Sequence, residues 1–296
     1  MDVACWRGAP AKVGVKDVKR TKALLVVLLM FTFFSCGGGG GSVSAPAPLP
    51  PIPRADKVYF GYYGGILAET SDHVTIQFAG TWHGQDAQLQ QIIDASQMGI
   101  PIMLDVADQM SLPPNPALDE ARMNSRFQQI KDAGALSSII ALYFDEPDHN
   151  NRMTANDVIT MTTVLRRSSA AFGISPKLAS VYTASWTWPG VAEWDWVGFD
   201  NYGPGAGIFS NGDYERLAIL KPHQRAILVV GGAEPWKTDP TAFVGKALQD
   251  GRVVAMLVFA WTGGNESGRA TNFGAGVRSN GMAPAFRAAA KALKNG

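Results

Sequence analysis

The chain has 296 residues, of which 46% are hydrophobic and 17% charged, so it is long enough for one large globular domain. Its 26 lysines and arginines nearly balance its 25 aspartates and glutamates, which gives a formal net charge of +1. Because no basic patch follows the first few dozen residues, the charge does not support binding to nucleic acid. We expect a monomer with no nucleic-acid partner.

The first 35 residues have the pattern of an export signal. Four basic residues between positions 16 and 22 precede an apolar run at 23–34, which is shorter than the roughly 20 residues a membrane span needs. Residues 33–36 resemble a bacterial lipobox, and this resemblance implies a lipid anchor on Cys36 that attaches the protein to a membrane. A plain cleaved signal or a single-span anchor remains an alternative.

These features predict three segments: a signal at 1–35, a Gly- and Pro-rich flexible tether at 36–56 and a catalytic domain at 57–296. The expected location is the bacterial cell envelope, facing the periplasm or the exterior. The two cysteines are Cys5 and Cys36, so a mature domain that has lost Cys5 would contain no disulfide.

From residue 57 onward, apolar runs alternate with amphipathic stretches. The predicted strands are 58–63, 74–79, 100–106, 139–144, 178–182, 196–199, 226–230 and 253–261. The predicted helices are 85–98, 154–171 with Thr154 as N-cap, 239–250 and 282–293. Eight buried strands separated mostly by helices indicate an α/β protein with the (β/α)8 fold of a TIM barrel. The link between the fifth and sixth strands has little room for a helix.

In such a barrel, the residues that follow the strands meet at one mouth. Here they are rich in aromatic rings and carboxylates and poor in lysine and arginine, which argues against an anionic ligand. Rings that pack on the C–H face of a sugar, beside polar groups for its hydroxyls, suit a carbohydrate substrate. The predicted substrate-binding residues are Tyr62, Trp82, His83, Asp105, Asp145, Tyr182, Asn201, Tyr202, Trp236 and Trp261. For any single ring, burial in the core is the alternative.

The candidate for catalysis is Glu146, where the fourth predicted strand stops. Pro147 marks the change to a loop because proline cannot donate to a sheet ladder. Glycosidic cleavage needs one protonated and one ionised carboxyl group, and Glu146 is predicted to be the general acid/base. Asp145 points the other way while the pleat persists, and its charge would raise the pKa of a neighbouring carboxyl.

The second carboxyl group must come from across the barrel. Glu234, which follows the seventh predicted strand, is the first candidate for the nucleophile, and Asp200, which follows the sixth, is the second. Because Gly231 and Gly232 can adopt many backbone conformations, the sequence does not determine the direction of the chain that leads to Glu234, and the Glu234 side chain could instead face solvent.

The eight-strand pattern, Glu146-Pro147 after the fourth strand and Trp261 at the end of the eighth resemble the clan A glycoside hydrolases, over about residues 58–261. This resemblance implies a retaining hydrolase, with an acid/base glutamate after the fourth strand and a nucleophile glutamate after the seventh. The chain departs from the pattern at Asp145, where the family usually has asparagine, and at 231–233, which separate the seventh strand from Glu234.

Two other functions remain open: a non-catalytic glycan-binding surface lipoprotein with a barrel fold, and a transglycosylase. No cofactor and no metal are expected. The four histidines include no paired zinc-ligand motif, although His83 and His149 could approach Asp105 or Asp145. The Gly-x-Ser-x-Gly elbow of many serine hydrolases is absent from the sequence.

Overall fold

The computed structural model describes residue 55 and residues 57–80, 84–109, 119–148, 153–183, 188–200, 219–264 and 274–296. The predicted signal, Cys36 and all of the predicted tether except Ala55 lie outside these ranges. Within them, no helix has the length and apolar character needed to cross a membrane.

Eight parallel strands form a barrel, which confirms the predicted fold. The strands are β1 Tyr59–Tyr62, β2 Gln77–Ala79, β3 Ile102–Asp105, β4 Ile139–Asp145, β5 Lys177–Thr183, β6 Trp196–Asp200, β7 Arg225–Gly231 and β8 Val253–Phe259. From β2 to β8, each strand pairs with the next along the chain, and β8 pairs with β1. All eight predicted strands are therefore present, most of them within one or two residues of the expected bounds.

The ring closes between β1 and the residues that lead into β2. The backbone N–H groups of Thr75 and Ile76 both donate to the Phe60 carbonyl, at 2.8 and 3.2 Å. Gly61 permits this close approach, since a Cβ at this position would lie 2.7 Å from the Ile76 carbonyl oxygen.

Helices cover the outside of the barrel: α1 Leu67–Thr70, α2 Gln85–Gln97, α3 Glu120–Asp132, α4 Ala155–Ala171, α5 Thr241–Gln249 and α6 Ala283–Asn295. Thr154 is the N-cap of α4, as predicted. Helix α3 was not predicted, although Met123, Phe127 and Ile130 have helical spacing and are buried. In the described part of the β5–β6 link there is a single 3₁₀ turn, Val191–Glu193.

Side-chain alternation divides the core into two layers. On β4, Ala141 and Tyr143 point into the barrel, whereas Leu142 and Phe144 pack in the layer between the sheet and the helices. The same alternation directs Asp145, the last residue of β4, toward the barrel axis. The last residue of a strand can therefore present its side chain at the mouth.

Candidate active site

Three aspartates at the carboxyl ends of strands surround the mouth. Asp105, Asp145 and Asp200 are the last residues of β3, β4 and β6, and each continues the inward-facing alternation of its strand. The charges of all three affect the pKa of the buried Tyr63 phenol. Burial raises the pKa of Tyr63 well above its usual range, and the charges of these aspartates raise it further. The predicted positions of Asp105, Asp145 and Asp200 therefore converge.

Glu146 leaves the strand through a left-handed turn. Its N–H still donates to the Val181 carbonyl at 2.9 Å, so the ladder between β4 and β5 reaches this residue. Its φ of +40° lies in a region that residues with a Cβ rarely adopt and that recurs at functional sites. The turn ends the pleat, and the Glu146 carboxyl forms a side-chain hydrogen bond with Asp200 on β6.

Glu146 and Asp200 thus form a carboxyl pair across β5. Burial raises the pKa of Asp200 well above its usual range, and the negative charges of Glu146, Asp145 and Asp148 and the hydrogen bond with Glu146 add to the rise. Two carboxyl groups in such contact cannot both ionise readily, so they share one proton. The pair therefore favours a state that holds one proton over the doubly ionised state.

Asp145 lies beside this pair and titrates near neutrality. Burial raises its pKa to about 7, a hydrogen bond from Tyr143 opposes the rise, and the charges of Glu146, Asp105 and Asp148 add to it. The Tyr143 hydroxyl donates to Asp145 Oδ1 at 2.5 Å. Strongly perturbed carboxyl groups in a cleft are typical of catalytic sites.

Two further contacts fix the polar groups of the mouth. Thr183, the last residue of β5, donates from Oγ1 to Asp148 Oδ2 at 2.6 Å and from its backbone N–H to Oδ1 at 3.3 Å. Asp105 Oδ1 accepts a hydrogen bond from the Ala107 N–H at 2.9 Å. The mouth therefore brings together five carboxyl groups on β3, β4, β6 and the turn after β4.

The ends of β2 and β3 are tied together from behind by Gln88 of α2, which is 1% exposed. Its Nε2 donates to the carbonyl of Ala79 at 2.9 Å and to the carbonyl of Asp105 at 3.2 Å. The largely buried guanidinium of Arg126 on α3 donates to Gln88 Oε1. This network holds the backbone that carries the Asp105 side chain.

Glu234, the first candidate for the nucleophile, forms its hydrogen bond and its ion pair with residues outside this pair. The chain after β7 continues along β8, and the Glu234 N–H donates to the Ala275 carbonyl at 2.9 Å. Its side chain is 44% exposed and forms an ion pair with Lys237 at 3.0 Å. The contacts of Glu146 and Asp200 therefore favour Asp200, the second candidate, as the partner of Glu146.

Three of the predicted sugar-binding aromatics, Tyr62, Tyr182 and Trp261, pack in the outer layer rather than at the mouth, and all are nearly inaccessible. The Tyr62 hydroxyl is 3.0 Å from His73 Nε2, and Trp261 Nε1 donates to Glu69 Oε2 at 2.8 Å. Alternation along the strands turns the two tyrosines outward. β8 ends at Phe259, two residues before the predicted end, which removes Trp261 from the strand.

Among the described residues, the rings that face inward near the mouth include Tyr63, Trp236 and Phe259. The Phe259 ring lies 5.8 Å from Tyr63 and 6.1 Å from Trp236, measured between ring centroids. Trp236 and Phe259 are partly exposed, so both are available to a ligand. Trp236 was predicted, but Phe259 was missed because the predicted strand ran past it.

The remaining predicted site residues, Trp82, His83, Asn201 and Tyr202, lie outside the described ranges, as does His149. Among the residues that the structure does describe, no group of three or more His, Cys, Asp or Glu side chains is arranged to hold a metal ion.

No family model matches the chain, and no curated protein matches it. Solved structures similar to it include a GH113 β-1,4-mannanase, with 12% identity and a TM-score of 0.48, covering 81% of this chain and 99% of the mannanase. The mannanase man26 of Bacillus subtilis is 13% identical, with a TM-score of 0.46, covering 69% and 80%. A xylanase and α-amylase inhibitor protein of Scadoxus multiflorus is 12% identical, with a TM-score of 0.48, covering 69% and 93%. The similar structures thus include both enzymes and an inhibitor.

Proposed function

We propose that the protein is a glycoside hydrolase that cleaves a neutral oligosaccharide or polysaccharide with retention of configuration. The observation that carries the proposal is the hydrogen-bonded pair of Glu146 and Asp200 at the mouth of the barrel. One proton shared by two carboxyl groups supplies the acid and the ionised carboxylate that glycosidic cleavage requires. The partly exposed rings of Trp236 and Phe259 provide apolar surface for a sugar.

In the proposed reaction, the shared proton moves along the hydrogen bond from Asp200 to Glu146. Glu146 then donates it to the glycosidic oxygen as the bond to the anomeric carbon breaks, and the Asp200 carboxylate bonds to that carbon. In the second step, Glu146 takes a proton from water, the resulting hydroxide group replaces Asp200 on the sugar, and the pair regains its single proton.

The direct contact between the two carboxyl groups also favours a second candidate function. Retaining glycosidases hold their carboxyl groups about 5–5.5 Å apart, so the substrate has to separate Glu146 from Asp200 before cleavage. If it does not, the same mouth binds glycan without cutting it, as a non-catalytic surface protein would. The two functions differ in whether bound polysaccharide is shortened.

The test is the release of reducing ends from a panel of neutral polysaccharides between pH 4 and 8, with the wild type, Glu146→Gln, Asp200→Asn and Glu234→Gln. We expect Glu146→Gln and Asp200→Asn to reduce kcat by about 10²–10⁴-fold or more with folding unchanged, because the first removes the general acid/base and the second removes the nucleophile. Glu234→Gln should retain most of the activity. A fully active Glu146→Gln would overturn the proposal, and a wild type that retains polysaccharide without releasing reducing ends would establish the binder. The anomer formed first, followed by NMR, distinguishes retention from inversion.

The location belongs to the same proposal: we infer that a lipid on Cys36 tethers the catalytic domain to the bacterial cell envelope. The support is the signal and tether pattern of the sequence. Expressed in a bacterium, the wild type should partition into the detergent phase of Triton X-114 and the Cys36→Ser variant into the aqueous phase. Equal partitioning of the two would refute the anchor.

A further inference from the structure

A chain of three polar side chains runs across the top of the barrel interior. The Tyr143 hydroxyl donates to Asp145 Oδ1 at 2.5 Å, and the Tyr63 hydroxyl lies 2.6 Å from the Tyr143 hydroxyl. Because Tyr143 gives its proton to Asp145, the Tyr63 hydroxyl is the donor to Tyr143. The hydrogen bonds therefore run in one direction, from Tyr63, which follows β1, through Tyr143 to Asp145 at the end of β4.

Rigid packing holds both phenols in this arrangement. Tyr143 is 0% exposed and Tyr63 is 4% exposed. The ring of Phe78 on β2 packs against both, with centroid distances of 4.5 Å to Tyr63 and 4.9 Å to Tyr143. Burial raises the pKa of each phenol well above its usual range, so both remain protonated at any working pH. They are thus permanent hydrogen-bond donors.

We propose that Tyr63 and Tyr143 form a positioning chain that fixes the Asp145 carboxyl beside Glu146 and controls its ionisation. The proposal rests on the proposed function, because Asp145 is assigned to an active site. Neither tyrosine needs to touch the substrate. Their contribution acts through Asp145, whose Oδ1 accepts the hydrogen bond from Tyr143.

The surroundings of Asp145 explain why a donor is needed there. The charged groups that act on Asp145 among the described residues are carboxyl groups from two strands and one turn: Asp105 on β3, Asp200 on β6, and Glu146 and Asp148 in the turn after β4. Each of these carboxyl groups, when ionised, disfavours the negative charge on Asp145, and so does burial. The Tyr143 hydroxyl stabilises the ionised form against this environment. Removal of the hydroxyl should therefore make Asp145 harder to ionise.

The test is the titration of Asp145 by ¹³C NMR in protein labelled at aspartate carboxyl carbons, with Asp145→Asn to assign the resonance. The wild type should show a midpoint near the pKa of about 7. Tyr143→Phe should raise the midpoint by about one to two pH units, as expected for loss of a hydrogen bond to a charged group. Tyr63→Phe should raise it less, because it acts through Tyr143.

Tyr59→Phe is the matched control, since it makes the same chemical change at the opposite end of the barrel interior, against Trp196. We expect no change in the Asp145 midpoint in this variant. An unchanged or lower midpoint in Tyr143→Phe would overturn the proposal. If Tyr143→Phe does not fold, Tyr63→Phe decides, and an unchanged midpoint there has the same consequence.

The titration is independent of hydrolysis, so it separates this proposal from the proposed function. A wild type that releases no reducing ends refutes the hydrolase and leaves the titration result intact. If the wild type is active, the limb of its pH–rate profile that reports Asp145 should move upward in Tyr143→Phe, in step with the NMR midpoint. A uniform loss of kcat without movement of that limb would show that Tyr143 has a structural role and overturn the proposal.

Discussion

Asp145→Asn should stabilise the protein at alkaline pH and have little effect at acidic pH. In the folded protein burial raises the pKa of this carboxyl from the ordinary 3.8 to about 7. Between these two values the folded state holds a proton that the unfolded chain has released, so wild-type stability falls as pH rises through this interval. Asparagine cannot ionise, and its side-chain oxygen can still accept the hydrogen bond from Tyr143.

The size of the effect follows from the same two pKa values. The difference between 3.8 and about 7, at roughly 1.4 kcal/mol per pH unit, gives about 4 kcal/mol at pH 8. Urea unfolding at pH 4.5 and pH 8 measures it, and the quantity of interest is the stability of Asp145→Asn minus that of the wild type at each pH. Asp132→Asn, an exposed position at the end of α3, serves as control. If the stability difference is the same at both pH values, Asp145 is not a buried carboxyl whose pKa lies near 7.

Two further predictions concern the frame that carries the site. Gly61→Ala should destabilise the protein by about 1–3 kcal/mol in urea unfolding, because the added Cβ would lie 2.7 Å from the Ile76 carbonyl oxygen. Gly245→Ala is the control: this position on α5 is open, so alanine should stabilise the protein by about 0.5–1 kcal/mol. Equal effects of the two would contradict the close contact between Gly61 of β1 and Ile76, which precedes β2. Gln88→Ala should cost about 3 kcal/mol because buried Arg126 loses one of its acceptors and the carbonyls of Ala79 and Asp105 each lose a donor. Gln90→Ala, exposed on the same helix, should change stability little. A small loss in Gln88→Ala would show that water replaces the glutamine.

Most of the fold could be predicted from the sequence because each barrel strand is buried on both faces. Such strands are continuous apolar runs, which stand out from the amphipathic stretches between them. The N-cap of α4 was predicted for a similar local reason, since Thr154 accepts the N–H of Asp157 and Asp157 bonds back to it. Helix α3 was missed despite its Asp119 cap, because its three buried apolar side chains are spread among polar and charged residues.

The candidate site was less predictable because it depends on where strands end and how they turn. Glu146 and its neighbours could be located from Pro147, which marks a strand end. Which carboxyl group faces Glu146 depends on the left-handed φ of Glu146 and on which residues of β6 point into the barrel. Neither is visible in the sequence. The predicted end of β8 lay two residues too far along the chain, so Trp261 was predicted to bind sugar instead of Phe259.

The adjacency of Asp145 and Glu146 follows from the geometry of this strand end. In a continuous strand, two neighbouring residues point to opposite faces, so only one of them could reach the mouth. The left-handed turn at Glu146 removes that restriction, because the strand ends with Asp145 facing inward and Glu146 reaching Asp200. Two adjacent residues thereby contribute two carboxyl groups in different environments, one hydrogen-bonded to a buried phenol and one to another carboxyl. Carboxyl groups whose environments differ in this way can hold different protonation states at the same pH, which is what acid/base chemistry at a single site requires.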